Sequence, residues 1–300
     1  MTNKPDMPDA TAFKPEVLKL FDKYVHGQID RRGFLTNCAQ YTAGAAGAVA
    51  TLAALTPNFA RAQQVKPDDA RIKTDWVEVP SPTGNGKIKA YVTRPAEAAK
   101  PLPVVLVVHE NRGLNPHIED IARRLALDNF IAIAPDALTP LGGYPGDEDK
   151  ARELFGKLDQ TRTREDFVAA AGYAMKLDGG TGALGVVGFC YGGGIANMLA
   201  TQIPELKAAV PFYGAPPSLE AVPNIKAELL INLAGNDERI NAMWPQYEAA
   251  LKAASIRYHA FVYDGVEHGF NNDTTPRYNV EAAKLAWTRT LELFNRTLRA

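Results

Sequence analysis

With 300 residues, 46% of them hydrophobic and 22% charged, the chain can bury a sizeable core and has the composition of an ordinary globular protein. Its formal charge of -1 gives no electrostatic reason to expect nucleic acid or an anionic membrane surface as a partner. Two cysteines, Cys38 and Cys190, are too few for a disulfide framework or a zinc cluster, so function has to come from a site built of individual side chains.

Residues 1–62 read as a region apart. Val17, Leu20, Phe21 and Tyr24 fall at helical spacing in an otherwise polar stretch. Asp30-Arg31-Arg32-Gly33-Phe34-Leu35 follows, then an uncharged Ala/Gly-rich run from Tyr41 to Thr56, then Ala60-Arg61-Ala62 with small residues in A-x-A spacing. Twin arginine, mild apolar run and small-residue site, in that order, predict a bacterial twin-arginine export signal, with the export machinery as partner and a periplasmic destination. The run falls short of the ~20 strongly apolar residues of a membrane span, so no stable membrane anchor is expected. The leader before the arginines is long and acidic (Asp6, Asp9, Glu16, Asp22, Asp30), which suits the alternative: a retained N-terminal helical arm on a cytoplasmic protein. Cleavage near Ala62 would remove Cys38 and leave one free thiol.

Residues 63–300 read as one α/β domain. Asp75–Pro80 and Lys87–Thr93 make an opening antiparallel hairpin across a Pro/Gly-rich turn. Val104–Val108 is a continuous apolar run, predicted as a strand buried on both faces. Asn115-Pro116 supplies an N-cap and a first-turn proline for a helix carrying Ile118, Ile121, Ala122 and Leu125. Phe130–Ala134 is the next strand. Ala137–Asp166 is an irregular excursion with a charged helix around Arg152 and Leu154. A helix over Phe167–Leu177 precedes the stretch Leu184–Ala200. Strands at Lys207–Tyr213, Ala227–Ala234 and Tyr258–Tyr263, and helices at Pro245–Ala254 and Val280–Leu298, complete a doubly wound, mostly parallel sheet between two helical layers, the α/β-hydrolase fold.

In such sheets functional groups gather at the carboxyl ends of strands. Gly188-Phe189-Cys190-Tyr191-Gly192 has the strand–turn–helix context of G-x-S-x-G, with cysteine as the nucleophile. Asp237 follows a later buried strand and His268 lies in the loop after the last one, giving the order nucleophile, acid, histidine. A thiol with pKa near ~8.5 needs a base to become thiolate at neutral pH. His268 is the candidate base, with Asp237 fixing its tautomer; Glu238 is the alternative acid. His109 ends a strand and competes with His268, His117 opens a helix, His259 is inside a strand, and His26 is in the leader. Oxyanion donors are expected from the backbone N–H of Tyr191 and of Asn111, in the loop after Val108. His109-Glu110 does not complete H-E-x-x-H, because Gly113 holds the fifth place, and Asn197 interrupts G-x-G-x-x-G. Neither a metal nor a nucleotide cofactor is called for.

The segments His109-Glu110-Asn111-Arg112-Gly113, Gly188-Phe189-Cys190-Tyr191-Gly192-Gly193, Gly235-Asn236-Asp237 and His268-Gly269-Phe270 resemble the dienelactone hydrolases, carboxymethylenebutenolidase-like α/β hydrolases. The resemblance implies a cofactor-independent hydrolase of esters or lactones working through a cysteine acyl-enzyme. It also implies that Glu110 controls the ionisation of the thiol; a salt bridge with Arg112 is the structural alternative. The family's dienelactone-cleaving members hold a substrate carboxylate with two arginines. One lies four residues after the histidine, where this chain has Asn272; for the other, Arg152 from the excursion is the candidate, with Arg112 also able to point into the cleft. Thioesterase or general carboxylesterase activity would use the same residues, and a catalytically weak binding protein on this fold is the reading from a different class.

Overall fold

Continuous apolar runs build the centre of the sheet. In the computed structural model, which describes residues 8–300, strands β3 (Leu102–Val108), β4 (Ile131–Pro135), β6 (Ala208–Phe212) and β7 (Glu228–Ala234) are buried along their whole length, as strands covered by helices on both faces must be. With β1 (Ile72–Ser81), β2 (Gly86–Pro95), β5 (Gly180–Phe189) and β8 (Tyr258–Tyr263) they form one eight-stranded sheet in the order β1-β2-β4-β3-β5-β6-β7-β8. The hairpin β1–β2 is antiparallel and joins β4 antiparallel; every other pairing is parallel.

One face carries α6 (Glu148–Phe155), α7 (Gln160–Ala174), α8 (Tyr191–Gln202) and α10 (Trp244–Ala253), packed through Phe167, Ala171, Ala196, Leu199 and Leu251. The other carries α5 (Pro116–Leu127) and α11 (Val280–Leu298), through Ile118, Ile121, Leu125, Leu293 and Phe294. A short turn, α9 (Glu238–Asn241), follows β7. The helix expected at Phe167 begins earlier, at Gln160, because the Asp159 side chain caps it by accepting from the N–H groups of Thr161 and Arg162.

The N-terminal segment is folded as well. Helices α1 (Pro15–Val25), α2 (Arg31–Cys38) and α3 (Gly44–Leu55) close a small core of their own from Val17, Phe21, Phe34, Cys38, Ala48 and Leu52, while the short α4 (Phe59–Ala62) lies against α5. Asp30 N-caps α2, so Arg31 and Arg32 occupy its first turn. Among the described residues no single helix is long and apolar enough to cross a membrane. The helical cluster sits on the carboxyl ends of the central strands, over Cys190.

Candidate active site

Cys190 is the last residue before α8 and has φ 55° and ψ -112°, a conformation a non-glycine residue holds only when its surroundings impose it. Its N–H donates to the Phe212 carbonyl on the neighbouring strand, 3.0 Å away. The flanking glycines are required by crowding: a Cβ on Gly188 would collide with the Gly192 carbonyl, and one on Gly192 with that of Val108. The turn therefore lifts the thiol to the carboxyl edge of the sheet, and Tyr191 becomes the first residue of α8, where backbone N–H groups have no intrahelical acceptor.

The loops after β7 and β8 bring Asp237 and His268 together. One carboxylate oxygen of Asp237 caps α9 by accepting from the Ile240 N–H at 3.1 Å; the other lies 2.5 Å from His268 Nδ1. The second nitrogen of the ring, Nε2, is buried; burial would lower the ring's pKa, but the Cys190 thiolate and Asp237 raise it above its ordinary value. Burial pushes Asp237 up, but the hydrogen bond and charge of His268 hold it below its ordinary value. Burial also opposes ionisation of Cys190, yet the charges of His268 and His26 overcome it and bring the thiol down to about 5.

His26 is the residue that the sequence did not place here. The arm delivers it to Cys190, with Nε2 3.5 Å from Sγ. Its Nδ1 lies 2.7 Å from the Asp22 carbonyl and 3.2 Å from the Asp22 carboxylate. Its burial would lower its pKa, but the Cys190 thiolate and Asp22 raise it to about 10. The available signal was the one-turn spacing of Asp22 and His26, unremarkable in a segment read as a leader. His26, Cys190 and His268 place their donor atoms within 4.8 Å of one another, close enough for a metal ion. Arg239 also approaches His26 Nε2, at 3.1 Å.

The remaining candidates divide. Glu110 shares a cavity of about 330 Å³ with Cys190, His268 and Arg112. Its carboxylate accepts from Asn272 Nδ2 at 3.0 Å, while Arg112 faces Glu148, 3.8 Å away; no Glu110–Arg112 bridge forms among these contacts. Asn272 thus contacts the thiol-side glutamate. The side chains of Asn111 and Arg112 both donate to the Val25 carbonyl of the arm, at 2.8 and 3.1 Å. Arg152 does not reach the cavity. Its guanidinium donates to the Tyr24 carbonyl at 3.0 Å and stacks over the Tyr24 ring, because the arm occupies the ground into which the excursion points. Arg277, nine positions beyond His268, lines the cavity instead, and its buried Nε and one terminal nitrogen have no hydrogen-bond partner. Its distance from the histidine in sequence hid it. His109 is a core residue whose Nε2 accepts from the Ala137 N–H, His117 is buried beside Asp273, and His259 projects outward toward Glu228. None of these three competes with His268.

Cys190 also borders a second cavity, about 600 Å³, lined by Tyr191, Ile195, Met198, Pro216 and Ile240. The two spaces meet at Cys190, His26 and Asn111.

Comparison with known proteins agrees with this geometry. The family model described as "Dienelactone hydrolase family" matches residues 88–298, and a model described as "YqhI-like" matches residues 5–44. A candidate carboxymethylenebutenolidase of Escherichia coli (strain K12) is 35% identical over 76% of this chain and 88% of its own length. The E. coli (strain K12) hydrolase fragment YghX is 49% identical over 38% of this chain and 97% of the fragment. The crystal structure of a candidate dienelactone hydrolase from Klebsiella pneumoniae superposes with a TM-score of 0.68 at 32% identity, covering 75% of this chain and 99% of that one. With its sheet order, cysteine elbow and Asp237–His268 pair, the chain belongs to the dienelactone hydrolase family and is a hydrolase.

Proposed function

We propose that the protein hydrolyses a small ester or lactone bearing an anionic group, through an acyl-enzyme on Cys190. The observation that carries this reading is the thiol on a strained elbow beside the Asp237–His268 pair, in a cavity also lined by Arg112 and Arg277. The thiolate attacks the carbonyl, the C–O bond to the alcohol breaks, and water then cleaves the thioester. The N–H of Tyr191, and that of Asn111 from the β3 loop, hold the oxyanion. Glu110, tied to Asn272, sets a carboxyl group on the wall of the cavity that Cys190 lines. Arg277 is the best placed cation for a substrate carboxylate, since a buried guanidinium with free N–H groups gains charge-assisted hydrogen bonds from an anion.

The test is single-turnover acylation with an activated ester and with a dienelactone, read by intact mass and followed by mapping of the adduct. A substrate-sized adduct on Cys190, absent in Cys190→Ala, supports the reading. Equal slow hydrolysis by both proteins would reduce the domain to a binding protein. A second reading, a thioesterase or general carboxylesterase, draws support from the larger, mostly apolar cavity on the other side of Cys190; preference for long uncharged acyl groups over anionic lactones would favour it.

We also propose that residues 1–62 stay with the working enzyme. Support comes from the hydrogen bonds that Asn111, Arg112 and Arg152 donate to the arm's backbone. It comes too from Arg31, one of the twin arginines, which pairs with Asp149 at 2.9 Å. The export reading of the same residues predicts instead a new N-terminus near Gln63 on periplasmic protein. N-terminal sequencing of protein recovered from each compartment separates the two.

A further inference from the structure

Two imidazoles, from opposite ends of the chain, face one sulfur. His268 comes from the loop after β8 and has Asp237 on its Nδ1. His26 comes from the turn after α1, and its Nδ1 meets the Asp22 backbone carbonyl at 2.7 Å with the Asp22 carboxylate 3.2 Å away. The rings meet edge to face, with centroids 4.8 Å apart. His26 Nε2 lies 3.5 Å from Sγ, and His268 acts on the same sulfur from the other side through its charge and a hydrogen bond of its own.

The arm is fastened so that His26 cannot drift. Val25 and Tyr24, the two residues before it, give their carbonyls to Asn111, Arg112 and Arg152, and Tyr24 hydrogen-bonds Asp149 through its hydroxyl. Charged and titratable groups face His26 from every side. Asp22 on α1 and the Cys190 thiolate favour a protonated ring, Arg239 on α9 opposes it, and the His268–Asp237 pair completes the ring of groups. Arg277 acts at one remove, on Asp22. Two negative groups in direct contact outweigh the one guanidinium, so the thiolate–imidazolium pair is the favoured resting state.

We propose that His26 is a second catalytic histidine, carried in by the N-terminal arm, which takes the Cys190 proton and returns it to the leaving group, while His268 serves the hydrolytic water. This rests on the acyl-enzyme reading above. At rest the thiol proton is on His26 Nε2. The thiolate attacks, the C–S bond forms, and the tetrahedral intermediate expels the alkoxide, which takes the proton from His26 and leaves as the alcohol. In the second half, His268 removes a proton from water, the hydroxide adds to the thioester, and the C–S bond breaks to release the acid and the thiolate. The proton on His268 then passes to His26, 4.8 Å away ring to ring, and the resting pair is restored. One water is consumed per ester, and no other reactant is needed.

The experiment uses the full-length chain, its arm confirmed by intact mass. Cys190 ionisation is followed by thiolate absorbance and by alkylation with iodoacetamide across pH, neither of which requires turnover. His26→Gln should move the ionisation midpoint up by about one to two pH units and slow acylation by about ten- to a hundredfold. Asp22→Asn, which keeps the imidazole and removes its carboxylate, should move both in the same direction by less. His268→Gln should raise the ionisation midpoint as well, since its charge acts on the same sulfur, and should in addition stall deacylation, so that acyl-enzyme accumulates. An ionisation midpoint and acylation rate within twofold of wild type in both His26→Gln and Asp22→Asn overturn the proposal. So does loss of the thiolate only in His268→Gln. If ionisation shifts as expected but no ester ever acylates Cys190, the acyl-enzyme reading fails and the return of the proton to a leaving group falls with it, while the hold of His26 on the thiol stands.

Discussion

The two carboxylate–imidazole pairs around Cys190 differ in what holds them. Asp237 and His268 sit on short loops leaving adjacent strands β7 and β8, whose register is fixed along their whole length. Their positions follow from the sheet. Asp22 and His26 belong to a helical cluster with a separate apolar core, joined to the body at the site by hydrogen bonds and ion pairs. Their positions follow from docking. A group held by a continuous core stays put until the domain unfolds, whereas one held by a polar seam can be released by a local event of much lower cost.

Removing the sulfur gives the largest effect: Cys190→Ala should abolish ester hydrolysis, whichever histidine serves it, in a steady-state assay of kcat/KM. On the body side, His268→Ala should lower kcat by about 10²- to 10⁴-fold with little change in Tm, as expected for a positioned general base. On the arm side, Phe34→Ala deletes a fully buried ring and should cost the arm about 3–5 kcal/mol. Proteolytic sensitivity within residues 9–62 should rise while the body's melting transition stays in place. Loss of body stability would show the two regions to be one cooperative unit.

pH separates the pairs further. The Cys190 value is depressed to about 5 by His268 of the body and His26 of the arm together, so the share of thiolate stabilisation that His26 gives the docked arm is complete above the ordinary thiol range and is lost as pH falls through about 5. The His26 value is raised to about 10, so imidazolium stabilisation is complete below the ordinary histidine range and is lost as pH rises through about 10. Protection of the arm from protease should therefore hold between those limits and fail on both sides, whereas Cys190→Ser should flatten the dependence. The smallest effect is expected at the rim. Glu238→Gln breaks the exposed contact with Lys19 and should change neither arm protection nor activity, because exposed pairs gain little and are screened by salt.

The body was legible in the chain because its signals are local. Uninterrupted apolar runs such as Leu102–Val108 mark doubly covered strands, and Asn115-Pro116 starts α5 where a capping residue and a first-turn proline should. The cysteine between spaced glycines marks the elbow, since only glycine tolerates the backbone approach found at Gly188 and Gly192. Asp237 and His268 could be found by strand order, with no knowledge of distance. The arm was legible only in part: the stripe of Val17, Phe21 and Tyr24 predicts a helix, but nothing local says where that helix docks.

What the sequence determined by itself was the fold and the cysteine elbow with its Asp237–His268 pair, because each depends on periodicity, turn chemistry and chain order. Tertiary structure decided which side chains share the cavity: His26 in place of nothing expected, Arg277 in place of Arg152, and Asn272 against Glu110. Those contacts join residues such as His26 and Cys190 that are 164 positions apart. Their pairing is set by how two folded surfaces fit, and no spacing rule along the chain encodes that.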